Sequence, residues 1–269
     1  MNWSQQLLWV AGISLAAMIL LWLIQIATRK VALVDVGWSS LLGGSFVFYA
    51  LTGDGSESRR WIGGTMGGLW ALRLGSHMLV NRVLAKHEDG RYAQWRIHLG
   101  RRFQPVMLAF FVAQAVSIPL LAAPHLINAH NPAPLGPLDA AAIALFIIGQ
   151  VGVFISDHQL ESFKSDPANR GKVCNIRLWR FSRHPNYFFE WLTWVAYALL
   201  AALAPSGWLG WTAAILMLLL ILKVSGIPPA EKQSLRSRGE AYRRYQRTTS
   251  AFFPWFPRSD PQPALESQP

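Results

Sequence analysis

The sequence predicts an all-α integral membrane protein with seven transmembrane helices. Of its 269 residues, 52% are hydrophobic and only 14% are charged, whereas about a quarter of the residues of a soluble domain are charged. The apolar residues form long runs, and the basic residues cluster in the loops between the runs. The formal net charge of +11 is therefore typical of membrane-flanking loops, and no nucleic-acid partner is expected.

Seven apolar runs are the predicted spans, since a helix of about 20 apolar residues crosses the hydrocarbon core of a bilayer. The third run is rich in glycine, which lets helix backbones approach closely in lipid. The runs form one membrane domain, residues 1–257, and residues 258–269 are predicted to be a disordered cytoplasmic tail. The predicted spans are Leu7–Ala27, Leu33–Leu51, Trp61–Leu84, Phe103–Ala123, Leu138–Ser156, Asn186–Ala204 and Trp208–Leu222.

The distribution of lysine and arginine predicts the orientation. With seven spans, 22 of the 25 basic residues fall on one side of the membrane. Arg59 and Arg60 lie on the other side, and Arg73 lies within a span. Basic loops face the cytoplasm, so the N-terminus is predicted to be outside and the C-terminus cytoplasmic. We expect the inner membrane of a bacterium or the endoplasmic reticulum, with the ligand site on the cytoplasmic side.

Several kinds of site are excluded. Cys174 is the only cysteine, so an intrachain disulfide is impossible. The histidines are scattered without metal-ligand spacing, and no metal site is predicted. The sequence also lacks a glycine-rich dinucleotide fingerprint and a P-loop. Any bound nucleotide is therefore expected to be held by loops and helix ends at the cytoplasmic mouth of a bundle.

The stretch Leu178–Trp191 joins a basic loop to an apolar segment. Pro185 suits the first turn of a helix, and a helix N-terminus favours an anion. Asn186, Glu190 and Thr193 then share one face of that helix, which indicates a site for a polar, phosphate-bearing ligand. The arginines alone fit a positively charged membrane collar equally well. The basic and aromatic candidates for ligand contact are Arg170, Lys172, Arg180, Arg183, His184 and Tyr187.

The third predicted span carries a polar stripe, because Arg73, His77 and Asn81 recur at i, i+4 and i+8. A mid-span arginine is costly and usually faces a bundle interior or a water-filled cavity, paired with an acid. These residues are catalytic candidates, although a structural ion pair is an alternative for Arg73. The candidate acids are Asp35, Asp157 and Glu190.

The segment Gly226–Trp255 places tyrosines beside arginines. Tyr242, Arg243 and Tyr245 suit the binding of a nucleotide, with the rings flanking a base and the guanidinium groups holding phosphates. They also suit a helix that lies among lipid headgroups. Both interpretations remain open from these residues alone.

Five stretches of the chain resemble one known family. They are VDVGWS (34–39), HEDGRYAQWR (87–96), QLESFKSDPANRGK (159–172), SRHPNYFFEW (182–191) and GIPPAEKQSLRSRGEAYRRYQRTTSAFFPW (226–255). Together they resemble membrane reductases of the steroid 5-alpha-reductase type, most closely the uncharacterised bacterial branch, over most of residues 30–257. The resemblance implies a seven-helix fold that binds NADPH from the cytoplasmic side. It also implies reduction of an activated carbon–carbon double bond in an apolar lipid or steroid-like substrate.

The resemblance also implies roles for particular residues. Asn186 and Glu190 would contact the cofactor, joined by the tyrosines and arginines of the C-terminal segment. The basic set before the helix would hold the phosphates and select NADPH over NADH. In steroid enzymes a Gln-Glu pair and a tyrosine hold the substrate ketone, but the first two spans here lack that pair and Leu74 lies near the tyrosine position. His77 is then the first candidate for proton donor, and Asp35 is the second.

Two other classes of function compete with the reductase. Isoprenylcysteine carboxyl methyltransferases share a similar RHP-aromatic motif and bind S-adenosylmethionine, but they often have paired glutamates where this chain has Glu231 and Lys232. The many basic residues favour a phosphate-bearing cofactor over that methyl donor. A non-enzymatic lipid-binding membrane protein ranks third, because it would leave Arg73 and Glu190 without a task.

Overall fold

The computed structural model describes residues 1–84 and 90–260, and all regular secondary structure within them is helical. Single π-helical turns, Leu79–Val83 and Leu220–Val224, extend the third and tenth helices. The chain divides into two compact units: the first unit comprises residues 1–140 and 197–213, and the second unit comprises the other described residues. The helices are α1 Trp3–Thr28, α2 Leu33–Thr52, α3 Glu57–Met78, α4 Gly90–Leu99, α5 Phe103–Leu121, α6 Ala123–Ala129, α7 Pro137–Ser165, α8 Leu178–Phe181, α9 Pro185–Ala201, α10 Trp211–Leu219 and α11 Ile227–Thr248.

Five helical segments are long and apolar enough to cross a membrane, which supports the assignment as a membrane protein. The third and sixth predicted spans are helical, but they do not join this set. The 22 residues of α3 include four charged side chains. With 17 residues, α9 is about 25 Å long, short of the ~30 Å hydrocarbon core. The five segments are Trp3–Thr28, Leu33–Thr52, Tyr92–Ala129, Pro137–Ser165 and Gly207–Thr248.

In the first unit, α2 and α3 pack at close range because glycines line their contact. A Cβ on Gly43 would lie 2.1 Å from the Cβ of Ala71, and one on Gly67 would lie 2.0 Å from Cδ2 of Phe46. Phe46 is buried and stacks on His125, with 3.7 Å between ring centroids. The glycines of the third predicted span therefore do allow close helix packing.

Two neighbouring glycines test this packing. Gly67→Ala should cost about 1–3 kcal/mol of stability, because the added methyl group collides with the buried ring of Phe46. Gly68→Ala is the matched control, since its Cβ would meet only Cγ2 of Val47 at 3.7 Å. That variant should match or slightly exceed the wild type, because alanine is the better helix former. The stability of both variants is measured by thermal unfolding in detergent, followed by tryptophan fluorescence. Equal unfolding midpoints for the two variants would contradict the close contact between Gly67 and Phe46.

Two expectations for the predicted outer side are corrected. The residues between the fourth and fifth predicted spans, expected to form a loop, begin with a buried helix, α6. Arg59, predicted to lie in a loop, is a fully buried residue of α3. Its guanidinium donates two hydrogen bonds to Asp139, each 2.7 Å long, and further bonds to the backbone carbonyls of Ala133 and Pro134 at 2.7 and 3.0 Å. One carboxylate and several backbone carbonyls therefore compensate the buried charge of Arg59.

In the second unit, the C-terminal segment folds back on the start of α9. The backbone N–H of Trp255 donates to the carbonyl of Phe181 at 2.9 Å, and the hydroxyl of Ser182 donates to the carbonyl of Phe252 at 2.9 Å. Phe252 then packs with Ile221 and Ile227 in a buried cluster. The predicted disordered tail is packed at its start, through residue 260, and residues 261–269 lie outside the described residues.

Candidate functional site

A short, strained connection precedes the motif SRHPNYFFEW (182–191) in the second unit. Arg177, just before α8, adopts φ 52° and ψ −126°, a backbone region that costs a non-glycine residue about 1–3 kcal/mol. Two hydrogen bonds to α7 hold the connection in place. The backbone N–H of Leu178 donates to Oε1 of Gln159 at 3.1 Å, and the indole of Trp179 donates to the carbonyl of Ser156 at 2.9 Å.

Arg183 is the centre of the motif. Its Nε donates to Oε1 of Glu231 at 2.7 Å, and its Nη1 donates to the carbonyls of Gln246 and Thr249 at 3.0 and 2.5 Å. Its backbone N–H donates to the carbonyl of Ser250 at 2.8 Å. Arg183 therefore joins the motif to both ends of α11. Its guanidinium, expected on cofactor phosphates, is bonded mainly to protein acceptors.

Glu231 is the acceptor for several side-chain donors around this motif. Besides Arg183, its Oε1 lies 3.4 Å from Nε2 of His184, and its Oε2 accepts from Nε2 of Gln246 at 2.8 Å. The His184 ring in turn stacks on Tyr187, with centroids 5.4 Å apart. Sequence reasoning treated Glu231 only as a departure from methyltransferases. Its partners lie 47 and 48 residues earlier in the chain, so no local pattern could have identified them.

The polar face of α9 contacts polar side chains of α7. Nδ2 of Asn186 donates to Oδ1 of Asp157 on α7 at 3.0 Å, so Asp157, a candidate acid for Arg73, is bound by an amide. One turn along the same face, Glu190 is half-buried. Thr193 is fully buried and accepts from the amide of Gln150 at 2.9 Å. The predicted alignment of Asn186, Glu190 and Thr193 on one helix is confirmed by the bounds of α9.

A cavity of about 360 Å³ opens beside the motif, lined by the end of α7, the loop after it, the start of α9, and α11. We call it the first cavity. None of its described lining residues is acidic. Glu231, which is not among them, neutralises only one of the lining cations, Arg183. The lining therefore has an excess of positive charge beside several rings. The cations are Lys164, Lys172, Arg183 and Arg238, and the rings include Trp179, His184, Tyr187, Tyr242 and Tyr245.

Of the predicted ligand contacts in the C-terminal segment, the two tyrosines line the first cavity and the arginine does not. Gly239, at φ 51° and ψ −124°, kinks α11, a conformation that glycine adopts without strain. Beyond the kink, Tyr242 and Tyr245 are buried and line the first cavity. The hydroxyl of Tyr245 donates to the backbone carbonyls of Trp179 and Ser182. Arg243 is exposed and pairs with Glu240 at 3.3 Å, away from the first cavity.

The four residues expected to contact phosphate do not all line the same cavity. Lys172 and Arg183 line the first cavity, and Arg170 is exposed on the loop outside its lining. Arg180 lines a different cavity, of about 720 Å³, which we call the second cavity. The second cavity is formed by the loop 171–175, by α11 and by the segment 257–260, and it shares Lys172, Val173 and Tyr245 with the first. These cations were predicted to act together because they are close in sequence, but the fold places them in two different cavities and on an exposed loop.

Two cations of the first cavity, Lys164 and Arg238, were not among the predicted ligand contacts. Lys164 lies on the last turn of α7, and its segment was predicted to be a loop because hydropathy falls after Ser156. Arg238 donates from Nε to the carbonyl of Lys172 at 2.9 Å and so fixes the loop that closes the cavity. The sequence did contain a signal for the longer helix that carries Lys164, because Gln159, Leu160, Glu161 and Lys164 are good helix formers.

In the first unit, Asp35 forms an ion pair with Arg82. Nη1 of Arg82 lies 2.7 Å from Oδ2 of Asp35, and the hydroxyl of Tyr92 donates to Oδ1 at 3.3 Å. This carboxylate was offered to Arg73 in the sequence analysis, and its pairing with Arg82 was not foreseen. As an ion-paired acceptor, Asp35 fits an orienting role better than that of a proton donor. Arg73 is half-buried on α3.

The polar stripe of α3 is present in the structure. His77 is half-buried on the last turn of α3, and its Nδ1 lies 3.1 Å from the amide nitrogen of Asn81. An amide nitrogen can only donate, so Nδ1 of His77 accepts and the proton of a neutral ring is on Nε2. His77 therefore presents Nε2–H as a potential donor.

A family model described as a protein of unknown function, DUF1295, matches residues 21–249. The chain belongs to this family. DUF1295 includes proteins that resemble steroid 5-alpha-reductases, which supports the broader part of the resemblance stated above. No curated protein and no solved structure matches the chain.

The first cavity of this DUF1295 protein can be compared with its two candidate cofactors by charge. NADPH carries a pyrophosphate and a 2′-phosphate, and Lys164, Lys172 and Arg238 are the matching cations. S-adenosylmethionine carries a sulfonium and an ammonium against one carboxylate, so it is a net cation. A lining without an acidic residue among its described members offers that cation nothing to pair with. The donor set of the first cavity therefore fits a phosphate-bearing nucleotide.

Proposed function

We propose that the protein is a membrane-embedded reductase that binds NADPH in the first cavity and reduces a conjugated carbon–carbon double bond of an apolar lipid or steroid-like substrate. The excess of positive charge in the lining of that cavity carries the proposal. Charge-assisted hydrogen bonds to phosphate are among the strongest contacts that a protein makes. Rings beside those cations provide surfaces on which a base stacks.

Particular residues would divide the work of binding. Lys164, Lys172 and Arg238 would hold phosphate oxygens, while Tyr187 and Tyr242 would flank planar groups. Asn186 and Glu190 would contact the nicotinamide or its ribose, as the family resemblance implies. When bound, the cofactor supplies a hydride to the carbon β to the substrate carbonyl.

His77 is proposed as the proton donor. Negative charge develops on the carbonyl oxygen during such a reduction, so a donor aimed at that oxygen accelerates the reaction. The Nε2–H assigned above gives His77 a hydrogen-bond donor for that oxygen, and in the imidazolium form the same nitrogen would release its proton to the substrate. Asp35 would then act as an acceptor that keeps its cationic partner in place.

Cys174 reports on the first cavity, because it lines the cavity and is the only cysteine. Burial raises the pKa of its thiol, and the thiolate is the reactive form. We therefore expect slow alkylation by a small maleimide at neutral pH. NADPH should slow the reaction further, NADH should protect less at the same concentration, and S-adenosylmethionine should not protect.

The reaction itself is measured by the absorbance of reduced nicotinamide during incubation with a panel of conjugated enone lipids. Oxidation of NADPH by the wild type is the expected result, with a lower rate for His77→Ala. Equal rates would eliminate His77 as the donor. Protection of Cys174 by S-adenosylmethionine alone, together with methylation of a lipid-linked carboxylate, would replace the reductase with the methyltransferase.

We propose further that α3 and α9 also cross the membrane, which gives seven spans with the N-terminus outside and the C-terminus cytoplasmic. The uneven distribution of lysine and arginine supports this topology. A cysteine at the exposed position 259, introduced as Ser259→Cys in a Cys174→Ser background, tests it. An impermeant maleimide should label this variant in inverted vesicles and leave it unlabelled in intact cells. Labelling in intact cells would refute the orientation.

A further inference from the structure

The last described residues bring a carboxylate back onto α11. Arg258 donates its backbone N–H to the carbonyl of Thr248 at 2.8 Å. Asp260 then lies between two arginines: its Oδ2 is 3.1 Å from Nε of Arg244, and its Oδ1 is 3.2 Å from Nε of Arg247. Its side chain is only 11% exposed. An internal anion therefore sits at the edge of the second cavity.

The second cavity remains strongly positive despite Asp260. Four cations line it, and Asp260 is the one acid among the described lining residues. In the part of the chain that the structure describes, three of these cations make no side-chain hydrogen bond or ion pair. All three are exposed to solvent, so they are available to an anion that enters the cavity. The three are Lys172, Arg180 and Arg258.

We propose that the second cavity binds a phosphate group and that Asp260 competes with this phosphate for Arg244. Guanidinium groups bind phosphate oxygens in pairs, and a dianion neutralises more of this lining than one carboxylate does. Thr248 and Thr249 line the same cavity; the hydroxyl of Thr248 already donates to the carbonyl of Arg244 at 3.1 Å, so Thr249 is the one that adds a neutral donor. The phosphate belongs either to a lipid headgroup or to a soluble phosphate. The exposed rings of Phe253, Trp255 and Phe256 precede Asp260 in the chain, and aromatic side chains favour the headgroup level of a membrane.

The two cavities share Lys172, Val173 and Tyr245, but Arg180, Arg244 and Arg258 line only the second of them. The proposal therefore rests on these three arginines and does not require NADPH to bind. Arg258 is the residue for testing it, since no role in cofactor binding is assigned to Arg258.

Calorimetric titration of the full chain in detergent tests the proposal, with inorganic phosphate in one arm and dioctanoyl phosphatidic acid in the other. Saturable binding in either arm is the expected result, and the stronger arm identifies the source of the phosphate. Arg258→Gln should weaken that binding roughly tenfold and leave NADPH affinity unchanged, whereas Arg258→Lys should retain most of it. Asp260→Asn should bind about fivefold more tightly, because one partly exposed ion pair no longer competes.

Three outcomes would overturn the proposal. The first is that neither probe binds the wild type or Asp260→Asn. The second is that Arg258→Gln binds as tightly as the wild type. The third is that Asp260→Asn binds no more tightly than the wild type, which would remove the competing role of Asp260. Binding to Asp260→Asn alone would support the proposal, with the carboxylate closing the site in the wild type.

Discussion

The Arg59→Met variant is expected to lose about 3–5 kcal/mol of stability, the cost of leaving one member of a buried ion pair without its partner. Arg59 and Asp139 are 0% and 2% exposed, and two 2.7 Å hydrogen bonds join them. Without the guanidinium, Asp139 keeps the N–H of Gly136, at 2.7 Å, as the remaining donor among the contacts that the structure describes. One neutral donor does not compensate a buried carboxylate. Thermal unfolding in detergent measures the loss.

A double variant and a neighbouring arginine complete this experiment. Arg59→Met combined with Asp139→Leu should be more stable than Arg59→Met alone, because the unpaired carboxylate is gone. Arg60→Met is the control, since in the described part of the chain the Arg60 side chain donates only to the backbone carbonyls of Ala50 and Gly53, at 3.3 and 2.7 Å. Its loss should be smaller, about 1 kcal/mol. An Arg59→Met protein that unfolds with the wild-type midpoint would contradict the account of this ion pair.

Hydrophobic runs predicted the helices well where a run and a helix end together. The second predicted span, Leu33–Leu51, differs from α2 by one residue at its C-terminal end. The fifth predicted span ended at Ser156, but α7 continues to Ser165. Hydropathy reports the lipid-facing part of a helix, whereas backbone hydrogen bonds extend the helix into water for as long as the residues are good helix formers. Helix ends outside the apolar region were therefore less predictable.

The candidate site was predictable as a region but not as a set of contacts. The sequence placed basic and aromatic residues near Asn186, and the first cavity opens beside that residue. The partners of the charged groups were not predictable, because Arg183 and Glu231 are 48 residues apart and Arg59 and Asp139 are 80 apart. Helical periodicity relates residues within a few turns, and it carries no information about such distant pairs.

The Glu190→Ala variant is expected to bind NADPH roughly ten- to hundredfold more weakly than the wild type, the effect of losing one charge-assisted hydrogen bond. Glu190 lies one turn after Asn186 on α9, and Asn186 lines the first cavity. Glu190 is half-buried on the face of α9 that also carries Asn186. The proposed contact of its carboxylate is with the nicotinamide or ribose of NADPH, as the family resemblance implies. Protection of Cys174 from alkylation, titrated with NADPH, measures the affinity without requiring turnover.

Glu161→Ala is the matched control for this titration. Glu161 is an exposed carboxylate on α7 in the same unit, so its removal changes the net charge by the same amount without touching the polar face of α9. We expect Glu161→Ala to bind NADPH like the wild type, and both variants to unfold near the wild-type midpoint. A folded Glu190→Ala protein with undiminished NADPH affinity would remove Glu190 from the cofactor site. Equal weakening by both variants would show instead that NADPH responds to overall charge, with no specific contact at position 190.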